Sequence, residues 1–108
     1  MAEEILASNK NIDGVFAITD LLATGVLVKF KEAGVKIPEE VSIIGFSNWF
    51  LSQITSPSLS TVNQPGLEMG SAAFKLFFDE ITNNKNKVPT EFITVEIPTK
   101  IVIRNSTR

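Results

Sequence analysis

Two short apolar runs on either side of a segment with helical periodicity most constrain how this chain folds. The runs VFAI at 15–18 and VSIIGF at 41–46 show little polar alternation, which is typical of strands covered on both faces of a parallel sheet. Between them, apolar residues recur every three or four positions over 22–33, and Gly34 follows as a stop. The segment therefore predicts a β-α-β unit.

The remaining segments extend this unit. A short helical piece is predicted over 3–8, and LSTV at 59–62 predicts a third strand. Apolar spacing after a proline predicts a long helix over 66–82. EFITVEI at 91–97 and KIVIR at 100–104 predict two final strands. The order β-α-β-β-α-β-β indicates an α/β fold with a parallel-sheet layer architecture.

The residue types that are missing exclude several classes of site. The chain of 108 residues contains no cysteine and no histidine, which excludes disulfides, thiolate nucleophiles, Cys/His zinc sites and imidazole general bases. No metal site and no cofactor are predicted. An α/β enzyme would have to use Asp20 as its acid or base. Since histidine, cysteine and a glycine-rich phosphate loop are missing, the expectation is that the chain is not an enzyme.

Charge and hydropathy bear on partners and location. The formal net charge is −2 and the pI is near 5.1, without the positive excess that binding to a phosphate backbone normally demands. We therefore expect that this chain does not itself bind nucleic acid. The sequence shows neither a secretory leader nor an apolar run long enough to span a membrane. A cytoplasmic location is the expectation.

Pairs of small polar residues follow three of the predicted strands directly. These pairs are Thr19-Asp20, Ser47-Asn48 and Asn63-Gln64. The carboxyl ends of parallel strands meet at one edge of a sheet, where ligands bind in open α/β folds. The sequence therefore predicts a polar pocket at this edge, with Trp49 and Phe50 as an apolar wall. The predicted ligand-binding residues are Thr19, Asp20, Ser47, Asn48, Trp49 and Gln64.

Each of these residues also has an ordinary structural interpretation. Asp20 is a suitable N-cap for the helix that it precedes, and Gln64 is able to cap the next one. Ser47 and Asn48 are common turn residues. Trp49 and Phe50 are of types that more often serve packing or a protein interface than ligand stacking. The three pairs in one short chain favour the pocket.

Three longer phrases make the chain recognisable. They are DGVFAITDLLATGVLVKFKEAGVKIPEEVSIIGFSN, SPSLSTVNQPGLEMGSAAFKLFFDEI and the ending TKIVIRNSTR. Together, from Ile12 onward, they resemble the C-terminal part of the lactose-repressor (LacI/GalR) family of bacterial transcription regulators. The resemblance implies an effector-sensing domain of the periplasmic-binding-protein type (type I), in which small molecules, usually sugars or sugar derivatives, bind between two lobes.

The resemblance also implies how the chain divides. Residues 1–64 would form part of the C-terminal lobe, 65–90 a crossover helix that belongs to the first lobe, and 91–108 the returning terminal strands. The chain would then be a fragment, and its long helix would expose apolar side chains. Operator DNA would be bound by an N-terminal helix-turn-helix head that is not in this chain.

Family pocket positions carry over to three residues. Thr19 stands where the family usually has an asparagine, and Ser47 where it has an aspartate that binds sugar hydroxyls, whereas Gln64 matches the family. A hydrogen bond to a charged group contributes about 1.5–3 kcal/mol and a neutral one about 0.5–1.5 kcal/mol. The serine therefore predicts weaker binding of a polyol by this lobe.

A homodimer interface is implied by the same resemblance. It would be formed by the first long helix and the segment after the second strand, at positions Thr24, Val28, Lys31, Ile54 and Thr55. In the alternative interpretation, Val28 packs under a loop and Ile54 packs within the lobe. A periplasmic sugar-binding component of an importer is the alternative function, because it shares the two-lobed architecture, and EAGVKIPEEVSIIGF favours the regulator.

Overall fold

A computed structural model describes residues 2–8, 11–85 and 92–108 of the chain. Its helices and strands are α1 Ala2–Ala7, β1 Gly14–Phe16, α2 Asp20–Glu32, β2 Ser42–Ser47, α3 Leu51–Ile54, β3 Ser60–Asn63, α4 Gly66–Lys85 and β4 Lys100–Val102. The chain forms two compact units, Met1–Gln64 with Lys100–Arg108, and Pro65–Thr99. The predicted boundary between 90 and 91 lies outside the described residues.

The first unit is built on a four-stranded sheet in the order β1-β2-β3-β4. The first three strands run parallel, and β4 is antiparallel to β3. This arrangement confirms the predicted β-α-β unit and its parallel strands. The register pairs Phe16 with Ile44 and Ser47 with Asn63, so the strand ends that were expected to converge are neighbours.

Helix α2 covers one face of the sheet and forms the core with it. The helix follows the predicted periodicity, and its buried apolar face meets side chains from the strands and from the loops that lead into them. The buried core consists of Ala17, Ala23, Val26, Leu27, Phe30, Val41, Ile43 and Leu59. Residues from α1, among them Ile5 and Leu6, pack against its edge.

The face of the sheet opposite α2 carries exposed apolar side chains within the first unit. Phe16 and Ile101 are 60 % and 65 % exposed, and the ring of Phe16 contacts that of Phe46 edge-on, with centroids 6.5 Å apart. Parallel sheets in α/β proteins normally have both faces covered. The continuous apolar runs of the sequence therefore match a sheet that has one face covered by α2 within the first unit.

Two predicted features of the fold were wrong. Residues 51–54 form the short helix α3, where no regular structure was predicted. The predicted strand over 91–97 does not form in its described part, since 92–99 have no regular structure. An isolated strand is not stable without a partner for its backbone groups. Phe92 and Ile93 are accordingly exposed.

The second unit contains the long helix α4, which begins close to the predicted position. The phenylalanines of its apolar stripe, Phe74, Phe77 and Phe78, are each about 60 % exposed or more. The rings of Phe74 and Phe78 stack one turn apart at 6.3 Å. The expected exposure of this helix is thus confirmed. No helix in the described part of the chain is long and apolar enough to cross a membrane.

Candidate functional site

The carboxyl ends of β1, β2 and β3 form one edge of the sheet, and the loop after β2 turns sharply at this edge. Ser47 has a φ of 110° and Asn48 a φ of 53°. Left-handed backbone at residues other than glycine costs about 1–3 kcal/mol each and persists only where the surroundings hold it. The strand SIIGFS therefore ends because its backbone turns here, and neighbouring side chains must hold the turn.

Asp20 is the first of these side chains. It is fully buried, and its Oδ2 accepts a hydrogen bond from the backbone N–H of Trp49 at 2.6 Å. Its Oδ1 accepts one from the hydroxyl of Thr61 at 2.5 Å. Both carboxylate oxygens are thus occupied inside the protein. Asp20 is placed to position the loop, and this geometry gives no support to the alternative of Asp20 as a catalytic acid or base.

Helix α2 is capped by the neighbouring residue. The hydroxyl oxygen of Thr19 accepts a hydrogen bond from the backbone N–H of Leu22 at 3.2 Å, which is the usual contact of an N-cap. The interpretation of Asp20 as the N-cap is therefore wrong, and the preceding residue has that role. Its capping bond uses an acceptor position of Thr19 and leaves the hydroxyl proton available as a donor.

Asn48 is held by side chains from two other strands. Its backbone N–H donates to Thr61 Oγ1 at 3.2 Å, and its Nδ2 donates to Asn63 Oδ1 at 2.8 Å. Its Oδ1 accepts a hydrogen bond from Arg104 Nη2 at 2.7 Å. The amide oxygen of Asn48 and one of its two N–H groups are thus engaged within the protein. This residue organises the edge.

Arg104 is a residue that sequence reasoning missed. Its Nη1 donates to the carbonyl of Leu59 at 2.7 Å and to the hydroxyl of Ser52 at 3.1 Å, in addition to the bond with Asn48. It therefore joins the last segment of the chain to α3, to the start of β3 and to the loop after β2. The available signal was one arginine directly after the apolar residues 101–103 of KIVIR, and the whole run was interpreted only as a strand.

Two polar side chains at this edge, those of Ser47 and Gln64, make no hydrogen bond within the described residues. Asn63 accepts a bond from Asn48 through its Oδ1, and its Nδ2 has no partner there. Trp49 lies beside them and is 56 % exposed. The predicted residues therefore separate into two groups. Asp20 and Asn48 hold the loop, whereas Thr19, Ser47 and Gln64 keep groups available for a ligand.

The predicted interface residues also lie near one another. Val28, Lys31 and Thr55 line one shallow depression between α2 and the segment after α3, and Lys31 Nζ donates to the carbonyl of Ser56 at 2.7 Å. Ile54 is 60 % exposed and Val28 is 45 % exposed, so neither is buried within the lobe. Thr24 is half-buried one turn before Val28, and its hydroxyl donates to the carbonyl of Asp20.

Comparison with known proteins places this geometry in a family. Residues 2–107 match the family described as a periplasmic binding protein-like domain. The ribose operon repressor of Halalkalibacterium halodurans is 35 % identical over 104 residues, which are 96 % of this chain and 30 % of the repressor. The chain thus spans about a third of the length of the curated relatives that it matches.

Solved structures agree with the sequence comparison. A complex of the transcriptional regulator CelR with cellobiose superposes with a TM-score of 0.88 at 28 % identity, over 97 % of this chain and 31 % of that one. A LacI family transcriptional regulator from Enterococcus faecium with bound ribose gives a TM-score of 0.82 at 35 % identity, over 98 % and 37 % of the two chains.

Proposed function

Because this chain belongs to the periplasmic binding protein-like domain family, among relatives that are LacI-type repressors, we propose that it forms part of the effector-sensing domain of a bacterial transcription regulator. It contributes one wall of a pocket for a small effector, a sugar or a sugar derivative. The bound cellobiose and ribose of two similar regulators support this class of ligand.

The available polar groups at the strand-end edge carry this proposal. The side chains of Ser47 and Gln64 make no hydrogen bond within the described residues, and Thr19 keeps its hydroxyl proton. These groups come from the ends of three neighbouring strands, and the left-handed turn after β2 holds one of them in place. A rigid edge with unused hydrogen-bonding groups, next to an exposed tryptophan, is suited to a polar ring-shaped ligand.

Removal of the Gln64 side chain is the direct test of the pocket. In the whole regulator that carries this chain, we expect Gln64→Ala to weaken effector binding about tenfold, since one lost hydrogen bond to a ligand is worth about 1.4 kcal/mol. Isothermal titration with mono- and disaccharides, nucleosides and sugar phosphates would identify the effector and measure the change.

Gln53→Ala is the matched control for this test. Gln53 is exposed on α3, and its side chain makes no hydrogen bond within the described residues, so its removal should leave the affinity unchanged. An effector that binds equally well to the wild type and to Gln64→Ala would contradict the proposed pocket.

We also propose that the regulator is a homodimer, with Thr24, Val28, Lys31, Ile54 and Thr55 in its interface. Support comes from two exposed apolar side chains beside one depression. A symmetric dimer uses the same patch on both subunits. The dimer would set the distance between two N-terminal heads on operator DNA. The regulator would act in the cytoplasm.

Ile54→Asp is expected to dissociate this dimer. A carboxylate placed in a contact between two copies loses its hydration without gaining a partner, so we expect the dissociation constant to rise at least about 100-fold, or about 2.7 kcal/mol. Sedimentation velocity would measure the shift to monomer. Asn11→Asp adds the same charge at an exposed position before β1 and should remain dimeric. An Ile54→Asp protein that stays dimeric would exclude this surface.

The importer alternative is less favoured by the comparisons. The ribose operon repressor and the repressor PurR of Vibrio parahaemolyticus, two relatives of this chain, are transcriptional repressors. The phrase EAGVKIPEEVSIIGF, which favours the regulator, lies in the end of α2, the connection and β2. The coding sequence immediately upstream distinguishes the two functions, since a helix-turn-helix head supports the regulator and a secretory leader supports the importer.

A further inference from the structure

A hydrogen-bond relay runs from the end of the last strand to the strand-end edge. It consists of three side chains, Arg104, Asn48 and Asn63. Arg104 Nη2 donates to Asn48 Oδ1 at 2.7 Å, and Asn48 Nδ2 donates to Asn63 Oδ1 at 2.8 Å. The Nδ2 group of Asn63 is the end of the relay, and it has no partner within the described residues.

The direction of the relay is fixed by Arg104. A guanidinium has five N–H donors and no acceptor, so only the amide oxygen of Asn48 can face it. The Nδ2 of Asn48 then faces Asn63 and donates to its Oδ1. Both amide orientations therefore follow from the chemistry of one arginine, and Asn63 presents a donor at the edge.

The other available groups at this edge are neutral. Thr19 already accepts a hydrogen bond from Leu22 N–H, and its hydroxyl proton stays available to a ligand. The nearest carboxylate, Asp20, is fully buried with both oxygens occupied. The edge therefore offers N–H and O–H donors without an available carboxylate. A donor at the end of a relay that begins at a cation is also polarised by it.

We infer that this edge selects an effector that carries an oxyanion, namely the phosphate or carboxylate group of a sugar derivative, and that Asn63 Nδ2 binds this group. Arg104 and Asn48 are positioning residues that fix the donor direction of Asn63. The inference rests on the proposed function and makes its ligand class narrower. A neutral polyol finds only neutral acceptors here, such as the side-chain oxygens of Ser47 and Gln64, and no available carboxylate, so it fits this edge less well.

Matched ligand pairs test the inference on the whole regulator. Isothermal titration would compare glucose with glucose 6-phosphate and gluconate, and ribose with ribose 5-phosphate. We expect glucose 6-phosphate, gluconate or ribose 5-phosphate to bind at least about tenfold more tightly than the corresponding neutral sugar, a difference of about 1.4 kcal/mol in binding free energy. Inorganic phosphate alone is the further probe, and weaker binding than the sugar phosphate would show that the sugar ring is part of the recognised group.

Two substitutions test the relay. Asn48→Asp keeps a bond to Arg104 as an ion pair, and it forces Asn63 to reverse its amide and present its oxygen. We expect the preference for the anionic member to fall about tenfold or to invert. Asn63→Leu removes the donor without adding charge and should also abolish the preference. Asn11→Asp repeats the change of net charge at an exposed position and should preserve it.

The outcomes separate this inference from the proposed function. If the wild type binds an anionic ligand more tightly than its neutral sugar, and both Asn48→Asp and Asn63→Leu lose this preference, the inference is supported. Tighter binding of neutral sugars, weakened by Gln64→Ala, overturns the inference and leaves the proposed pocket in place. An anionic preference unchanged in Asn63→Leu also overturns it. Failure of every sugar and sugar derivative to bind overturns the proposed function together with this inference.

Discussion

Replacement of Asp20 with alanine is expected to lower the free energy of unfolding by about 3 kcal/mol. The carboxylate is fully buried and accepts hydrogen bonds from Trp49 N–H and the Thr61 hydroxyl. A hydrogen bond to a charged group contributes about 1.5–3 kcal/mol, and its loss leaves a donor without a partner. The left-handed turn at 47–48 would also lose one of its supports. Urea denaturation followed by circular dichroism would measure the change.

Two further substitutions make this test specific. Asp20→Asn keeps the shape and one acceptor oxygen, so we expect a loss about half as large. Asp13→Ala removes an exposed aspartate side chain before β1, and surface changes of this kind usually fall within about 0.5 kcal/mol. A loss below about 1 kcal/mol for Asp20→Ala would show that the carboxylate does not hold the loop.

Gly45→Ala is expected to destabilise the protein by about 2 kcal/mol, within the range for overpacked interiors. A Cβ at this position in β2 would overlap the carboxylate of Asp20 and would lie 3.1 Å from both Asp20 Cα and Leu59 Cδ2. Backbone on one side and a buried core residue on the other leave little room for adjustment. Thermal and urea unfolding would measure the loss.

Gly14→Ala is the matched control within the same sheet. A Cβ there would meet only the carbonyl oxygen of Ser42, at 3.9 Å, which is an ordinary contact. Alanine in a strand is favoured over glycine by about 0.5–1 kcal/mol, so this variant should be neutral or slightly more stable. Equal effects of the two substitutions would show that Asp20 does not pack against β2 as described.

Much of the fold could be predicted from local pattern. The helix over 20–32, the parallel strands at 14–16 and 42–47 and the start of the long helix at Gly66 all follow from the periodicity of apolar residues. The strand expected over 91–97 failed because strand formation depends on a partner. The described residues 92–99 are not paired with any strand of the sheet. The short helix at 51–54 lacked a periodic signal of sufficient length.

The candidate site was predicted in location but not in the roles of its residues. Thr19, Ser47 and Gln64 lie at the predicted edge with available groups, and their contact with a ligand stays a prediction. Asp20 and Asn48 were grouped with them because their types suit a pocket. Their hydrogen bonds to Thr61, Asn63 and Arg104 span between 15 and 56 positions of sequence, and no local pattern reveals such contacts.

The sequence alone determined the β-α-β unit, the long helix and the edge at which polar residues gather, because these depend on spacing along the chain. The tertiary structure alone decided which polar groups are used internally and which remain available. That choice depends on the direction of each hydrogen bond, and Arg104 sets one such direction across 56 positions of sequence, because a guanidinium is only able to donate.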